Sequence, residues 1–124
     1  MTPPSNIASL TAFKDLRLEP RFEGDELKVA VLWGDPASGP VAIMLHMPKG
    51  HVEPFHKHTS DYHCVVVEGR IRTQMKNVDR SEEFGPGSHI FQPGGTLHAE
   101  SSSGDRDLLA LVYFDGPIDV IHDE

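Results

Sequence analysis

The sequence is short of cysteine, of long apolar runs and of positive charge. Its one cysteine, Cys64, can form no disulfide within the chain, and we expect the reducing cytoplasm as its compartment. The first 13 residues have no basic segment followed by an apolar one, so we expect no signal peptide. No apolar run approaches the length of a membrane span, so we expect no insertion into a membrane.

The net charge of the chain limits the kinds of molecule that we expect it to bind. The chain has 11 Lys and Arg residues against 19 Asp and Glu residues, which gives a net charge of −8 with histidine neutral. Nucleic acids are bound through basic surfaces, so this balance argues against a nucleic-acid partner. The same sign argues against anionic membrane surfaces. We interpret the excess negative charge as a source of solubility.

Helical periodicity is also scarce, whereas turns are frequent. The best helical segment, 6–16, is short and we do not predict a helix there. Turns containing Gly and Pro separate short runs rich in Val, Ile, Leu, Phe and Tyr, as in an all-β sandwich or barrel. The predicted strands are 27–33, 41–47, 62–67, 70–75, 89–92 and 108–114. A chain of 124 residues suits one domain over 1–124, with an N-terminal arm at 1–12 and an acidic tail at 119–124.

Three of the histidines can meet in space. His56 and His58 are spaced H-x-H in an extended segment, where residues i and i+2 point to the same face. The segment leads into a strand that starts at Tyr62, and a rigid strand holds a metal site better than a free loop does. His98 follows a tight turn of Gly and Pro that can bring it against the other two. Four others are expected to be surface or satisfied core residues: His46, His51, His89 and His122.

The spacing of these residues matches two motifs. The first runs as Gly50-x5-His56-x-His58-x3-Tyr62-x6-Gly69. The second runs as Gly87-x5-Pro93-x-Gly95-x2-His98. Both resemble the motifs of the cupin family, which are G-x5-H-x-H-x3–4-E-x6-G and G-x5-P-x-G-x2-H-x3-N. The resemblance covers residues 50–98 and implies an all-β, single-domain cupin, which is a small double-stranded β-helix or jelly-roll barrel.

The sequence departs from the family pattern at the carboxylate of the first motif. Tyr62 takes this position if three residues follow His58, and His63 takes it if four do. The spacing to Gly69 supports Tyr62. In an unbroken strand Tyr62 then points into the cavity and His63 points away, although a β-bulge would reverse this. The final Asn of the second motif is Ser102 here.

A site made of His56, His58 and His98 has no anionic protein ligand unless Tyr62 ionises. A divalent metal there would attract an anionic bidentate ligand, such as an enolate or a carboxylate. The arrangement resembles the acetylacetone-cleaving dioxygenases, which are cupins that bind Fe(II) through three histidines, and also the cupin half of zinc-binding anti-sigma factors. Imidazole binds Fe, Zn, Ni and Cu alike, so the donor set does not identify the metal. We rank Fe(II) first because of the resemblance to the dioxygenases alone. We expect Gln92 to support a ligand histidine through a hydrogen bond.

The expected function is that of a non-haem Fe(II)-dependent oxygenase that acts on a small dicarbonyl or phenolic substrate. The alternative is a non-catalytic sensor that binds zinc or a small ligand, and a metal-free cupin is the third reading. By resemblance to other small cupins we expect a homodimer, for which exposed β edges give a physical reason. In the strand that follows Gly69, Arg72 and Gln74 are candidates for the cavity wall.

Overall fold

The computed structural model describes residues 7–76 and 81–122, which form eleven β-strands and one short 3-10 helix, Phe13–Asp15. The strands are β1 (Glu19–Pro20), β2 (Lys28–Gly34), β3 (Val41–Met47), β4 (Val52–Lys57), β5 (Tyr62–Glu68), β6 (Ile71–Met75), β7 (Ser81–Phe84), β8 (His89–Gln92), β9 (His98–Ser102), β10 (Leu108–Phe114) and β11 (Ile121–His122). Among these residues, no helix is both long enough and apolar enough to cross a membrane.

The strands form two antiparallel sheets. The first sheet has six strands in the order β1-β2-β3-β10-β5-β8, and the second has five in the order β11-β4-β9-β6-β7. Neighbours in sequence such as β2 and β3 pair directly, whereas β10 returns from the end of the chain to lie between β3 and β5. Two packed sheets with such long-range returns are a jelly roll, so the predicted all-β fold is confirmed.

Hydrophobic runs predicted most of the long strands. The bounds of β3, β8 and β10 are those predicted, and β2, β5 and β6 differ by one residue at one or both ends. The sequence of β7 is Ser-Glu-Glu-Phe, and this strand lies at the edge of the second sheet. A polar edge strand has no hydrophobic run to reveal it, which is why β7 was not predicted.

The core lies between the sheets and follows the alternation of β3, β5 and β10. On β5, Tyr62, Cys64 and Val66 are buried, while His63 and Val65 point outward. Two clusters of buried apolar residues result. One contains Val41, Ile43, Tyr62, Cys64, Ala110, Val112 and Phe114, and the other contains Leu27, Met47, Val66, Ile71 and Leu108.

The two ends of the chain differ from each other. Residues 7–12 are exposed, as an N-terminal arm requires. In the predicted acidic tail, however, β11 pairs with β4, and the carbonyl of Asp119 contacts His58. The described part of the tail is therefore docked against the second sheet rather than free. The rest of the predicted arm and tail, 1–6 and 123–124, lies outside the described residues.

The expectation that Arg72 or Gln74 of β6 lines the cavity wall is wrong. Ile71 and Thr73 are buried on this strand, whereas Arg72 and Gln74 are exposed. Successive side chains of a strand alternate between faces, so a strand that buries Ile71 and Thr73 must turn its two long polar side chains to the outer face. Arg72 and Gln74 therefore do not line the cavity between the sheets.

Candidate metal centre

Three buried histidines lie together between the sheets. His56 lies near the end of β4, His58 lies in the loop that follows, and His98 begins β9. Their exposed fractions are 2%, 9% and 1%. One ring nitrogen from each lies within 4.8 Å of the others, and the ring centroids are 4.4, 5.0 and 5.5 Å apart. The structure thus brings together the three predicted ligands, whose role as ligands stays a prediction.

Each of the three imidazoles is held at its Nδ1 atom by a backbone carbonyl. The Nδ1-to-oxygen distances are 2.7 Å for His56 to Pro54, 2.5 Å for His58 to Asp119 and 2.9 Å for His98 to Thr96. Because a carbonyl oxygen can only accept, each Nδ1 carries the proton and donates it. Each Nε2 therefore carries an unprotonated lone pair, and on His98 this lone pair accepts from the Tyr62 hydroxyl. Metal-binding histidines are oriented in this way, with the second ring nitrogen donating to a carbonyl or a carboxylate.

Burial keeps these imidazoles neutral. It lowers the pKa of His58 to about 4, against the opposing effect of the hydrogen bond to Asp119. Burial also lowers the pKa of His56 and the pKa of His98. Since neutral imidazole is the form that binds metal ions, the cluster offers three lone pairs at neutral pH without first losing a proton.

The turn before His98 joins the two motifs. The N–H of Gly95 donates to the carbonyl of His58 over 2.8 Å. A Cβ atom on Gly94 would lie 2.3 Å from the carbonyl oxygen of Thr59, so glycine alone fits at that position. The turn therefore packs directly against the loop that carries His58, which is how residues far apart in the sequence reach one site.

Tyr62, the first residue of β5, points into the site. It is 5% exposed, and its hydroxyl lies 3.1 Å from Nε2 of His98. The hydroxyl donates this hydrogen bond, because the proton of His98 is on Nδ1. His63 is exposed on the outer face, where its Nδ1 lies 2.8 Å from Nε2 of His89. The orientations predicted from strand parity are confirmed, since β5 pairs with β8 in regular register from Tyr62 onward.

The phenol of Tyr62 is held in its protonated form. Burial raises the pKa of Tyr62 well above its ordinary value, and the nearby carboxylate of Glu100 adds to this effect. Burial likewise raises the pKa of the Cys64 thiol to about 12, so Cys64 behaves as a small hydrophobic group. Tyr62 is therefore a neutral hydrogen-bond donor at the site.

Gln92 lies opposite Tyr62 in the pairing of β5 with β8 and is 1% exposed. Its side-chain Nε2 has no hydrogen-bond partner among the described residues. The Nδ1 atoms of the three histidines donate to backbone carbonyls instead, so none of them is left for Gln92 to orient. A supporting role for Gln92 stays a prediction that these contacts do not strengthen.

Sequence reasoning missed one carboxylate in the site. Glu100 follows His98 by two residues on β9, so strand alternation puts both side chains on one face. Its Oε1 lies 3.6 Å from Nε2 of His56 and 3.9 Å from Nε2 of His98, and its side chain is 15% exposed. Burial raises the pKa of Glu100, against the opposing charge of His56. Residues two positions apart in an extended segment share a face, as His56 and His58 do. The same rule applied to His98 identifies Glu100.

A second carboxylate, Glu53, lies opposite Glu100 in the pairing of β4 with β9. It is 7% exposed, and its Oε1 lies 2.8 Å from Nε2 of His51 and 3.3 Å from the guanidinium of Arg21. Burial would raise the pKa of Glu53, but the hydrogen bond to His51 and the charge of Arg21 hold it below its ordinary value. Glu53 and His56 are three positions apart on β4, and a register shift between them lets both face inward.

The remaining histidines lie outside the three-histidine cluster, as expected. Nε2 of His46 lies 3.0 Å from a carboxylate oxygen of Asp107. His63 and His89 form their pair on the outer face of the first sheet, and His122 is exposed. His51 binds the Glu53 carboxylate described above, so it belongs to the wall of the site and not to the histidine cluster.

A cavity of about 100 Å³ adjoins the cluster. His56, His58, Tyr62 and Glu100 are among its polar lining residues. Most of the remaining wall is apolar and includes Val29, Ile43, Leu45, Ile71, Val112 and Phe114. A small space with one polar end suits a small organic molecule that turns its polar atoms toward the histidines.

A jelly roll that encloses a cavity and a three-histidine cluster able to hold a metal ion defines a cupin. Residues 9–118 match the ChrR cupin-like domain family, and the chain belongs to that family. The resemblance inferred from the two motifs is thereby confirmed.

Known relatives include enzymes. Over 78 residues, or 63% of this chain, the sequence is 32% identical to dimethylsulfoniopropionate lyase DddQ of Ruegeria pomeroyi, and the match spans 38% of that lyase. The crystal structure of DddQ has a TM-score of 0.67 and 26% identity, over 91% of this chain and 59% of that one. The polyketide cyclase RemF of Streptomyces resistomycificus has a TM-score of 0.76 and 23% identity, over 95% and 87% of the two chains, and this likeness is one of fold alone.

Proposed function

We propose that the protein is a metal-dependent enzyme that acts on a small molecule in the cavity beside His56, His58 and His98. The observation that carries this proposal is the common orientation of the three imidazoles. Every Nδ1 donates to a backbone carbonyl, so every Nε2 carries its lone pair inside the same buried space. The lone pair of His98 accepts from the Tyr62 hydroxyl, whereas those of His56 and His58 have no hydrogen-bond donor among the described residues, as is typical of metal-binding histidines rather than structural ones.

The donor set fits a divalent metal ion. Neutral imidazoles suit Fe(II), Zn, Ni and Cu, and we propose Fe(II) first because the three-histidine set resembles that of the acetylacetone-cleaving dioxygenases. When bound, the ion would act as a Lewis acid that stabilises negative charge on a substrate oxygen.

The residues around the histidines would bind and orient the substrate. Tyr62 holds its proton on a hydroxyl that lies 3.1 Å from Nε2 of His98, and from there it can donate to a substrate oxygen. We propose Tyr62 as the catalytic residue for this proton, with Gln92 as a supporting residue. Apolar walls such as Ile43 and Phe114 exclude water and favour a substrate with an apolar body.

Oxygen-dependent cleavage of a small dicarbonyl or phenolic substrate is the reaction that we propose first. The support for it is the histidine set with Tyr62, instead of a carboxylate, at the fourth position of the family motif. A redox-neutral elimination is the second candidate. It is supported by the protonated hydroxyl at the site and by the 32% identity to a lyase over 78 residues. Dependence of turnover on oxygen separates the two reactions.

Metal content and turnover test the proposal together. Protein purified without oxygen is analysed for metal, reconstituted with Fe(II) or Zn, and assayed with β-diketones and catechols for oxygen uptake and with dimethylsulfoniopropionate for elimination products formed without oxygen. We expect about one bound ion per chain and turnover of one substrate class. A tightly bound zinc without any turnover would favour the sensor-type alternative. A chain that binds no ion after reconstitution contradicts the proposal.

Two histidine variants form a matched pair for this test. His56→Ala removes a proposed ligand, whereas His63→Ala removes an exposed histidine from the outer face of β5. We expect His56→Ala to lower metal affinity on the order of 100-fold or more, since even partners outside the ligand set contribute 10–100-fold. Unchanged affinity in His56→Ala would remove this residue from the ligand set.

A single domain over 1–124, a homodimer and a cytoplasmic location belong to the same proposal. The single cysteine supports the location. Exposed apolar residues on the outer face of the first sheet support the dimer, since a second copy could cover Val65, Val67 and Phe91. Light scattering on the purified protein tests the dimer directly.

A further inference from the structure

We propose that Glu100 is a carboxylate ligand of the metal centre and acts there with His56, His58 and His98. The inference deepens the proposed function and rests on it. In the family motif the carboxylate comes from the strand that begins with Tyr62. Here β9 would supply it instead, from the residue two places after His98.

Distances around Glu100 suit a shared metal ion. Ligands bound about 2.1 Å from a metal in tetrahedral geometry lie about 3.4 Å from one another. The Oε1 atom of Glu100 lies 3.6 Å from Nε2 of His56 and 3.9 Å from Nε2 of His98. The three histidines form the group whose ligand atoms all lie within 4.8 Å of one another, and Glu100 is not part of that group. Glu100 is therefore placed to share an ion with His56 and His98, the two histidines that it approaches.

Glu100 lacks the hydrogen bonds that its neighbour Glu53 has, although the charge of Arg21 acts on both carboxylates. Glu53 and Glu100 face each other across β4 and β9, where like charges in opposition destabilise a sheet. Arg21 and His51 compensate Glu53. Within residues 7–76 and 81–122, no hydrogen bond to Glu100 is present, although its side chain is only 15% exposed.

A mostly buried carboxylate without a hydrogen bond either takes up a proton or is compensated by a nearby cation. Its two recorded contacts are the lone-pair nitrogens of His56 and His98, which offer no proton while their Nδ1 atoms donate to carbonyls. A metal ion on those nitrogens would compensate Glu100 and the histidines at once. This is the physical reason why we assign Glu100 to the metal rather than to a purely structural ion pair.

The assignment changes the substrate that the site would select. With three neutral histidines a divalent centre keeps its full charge of +2, and with Glu100 bound it carries +1. A centre of lower charge favours a monoanion, such as an enolate or a single carboxylate, over a dianion. One coordination position fewer would also remain open to the substrate.

Glu100→Gln tests this inference because it keeps the shape of the side chain and removes the charge. Glu68→Gln is the matched control, since it removes the charge of an exposed carboxylate at the end of β5 that pairs with Arg106, away from the histidines. We would measure Zn affinity by competition with a chelator, and the visible absorption of the Co(II)-loaded protein. Melting temperatures without metal would show whether each variant folds.

We expect Glu100→Gln to lower Zn affinity about 10–100-fold or more and to change the Co(II) spectrum. Glu68→Gln should leave the Co(II) spectrum as in the wild type. If Glu100→Gln folds poorly, Glu100→Asp provides the second variant, and its shorter side chain should also change the spectrum. Wild-type affinity and spectrum in the Gln variant would overturn the inference and leave the proposed function intact. A wild-type protein that binds no metal would overturn both.

Discussion

The hydroxyl of Tyr62 lies 3.1 Å from Nε2 of His98, and Oε1 of Glu100 lies 3.9 Å from the same nitrogen. Tyr62 belongs to the first sheet, whereas His98 and Glu100 belong to the second. The candidate metal centre is therefore assembled across the two sheets, and its geometry depends on how they pack.

Tyr62→Phe removes the hydroxyl and keeps the ring, whose centroid lies 5.2 Å from that of His58 and 5.3 Å from that of Phe114. We expect a loss of about 1 kcal/mol in the free energy of unfolding, which is typical of one hydrogen bond. If Tyr62 transfers a proton, kcat should fall on the order of 100-fold or more, while metal content stays the same. Urea unfolding and steady-state kinetics measure the two effects. Full kcat in this variant would exclude Tyr62 from the chemistry.

Phe114→Ala tests how far the core supports the site. Phe114 is 4% exposed on β10, and its ring centroid lies 5.4 Å from that of His58. We expect the free energy of unfolding to fall by about 3–5 kcal/mol, because the truncation leaves a cavity between the sheets. Phe91→Ala is the control, because Phe91 is 47% exposed on the outer face and should cost far less. Equal losses measured in denaturant would contradict this description of the core.

Gly94→Ala should weaken metal binding without touching a ligand. A Cβ at Gly94 would lie 2.3 Å from the backbone oxygen of Thr59, so the turn must move away from the loop that carries His58. Gly95→Ala is the comparison, because its Cβ would meet open space and only the positive φ of 84° adds strain. That strain costs about 1–2 kcal/mol of stability. We expect chelator competition to show a larger loss of affinity for Gly94→Ala, and equal affinities would contradict the proposed coupling of turn and site.

Acid should weaken the fold through the pair of Arg21 and Asp25. Arg21 donates to Asp25 over 2.5 Å and holds the pKa of this carboxyl below its ordinary value of 3.8, against the opposing effect of burial. A pKa that is lower in the folded state means that the stabilisation is present above pH 3.8 and is lost as the pH falls through the folded value.

Asp25→Asn should therefore be less stable than the wild type at pH 7, and the two should converge at the acid end. Denaturant unfolding from pH 7 to pH 3 checks this expectation. Asp105→Asn, at an exposed position, is the control and should follow the wild type. A constant difference between Asp25→Asn and the wild type at every pH would show that the Arg21 contact does not carry the effect.

The sequence was sufficient for the strands of the core and for the three histidines. Strands such as β3 and β10 are long apolar runs between turn residues. Such runs can be recognised in the sequence without knowing which strands they pair with. His56 and His58 share a face through local geometry alone. The position of His98 came from the family motif, and the packing of Gly94 against Thr59 supplies its physical reason.

Tertiary structure decided how the charged groups reach the histidines. Glu53 turns inward because β4 shifts its register against β9 around Pro54, a residue type that is found at β-bulges. The described part of the acidic tail docks because β11 pairs with β4 and Asp119 accepts from His58. Sequence thus determined the fold class and the shared face of His56 and His58, since both follow from short-range periodicity, and the family motif added His98. The placing of Glu100 against His56 required the packing of β9 on β4, because only pairing between distant strands sets that distance.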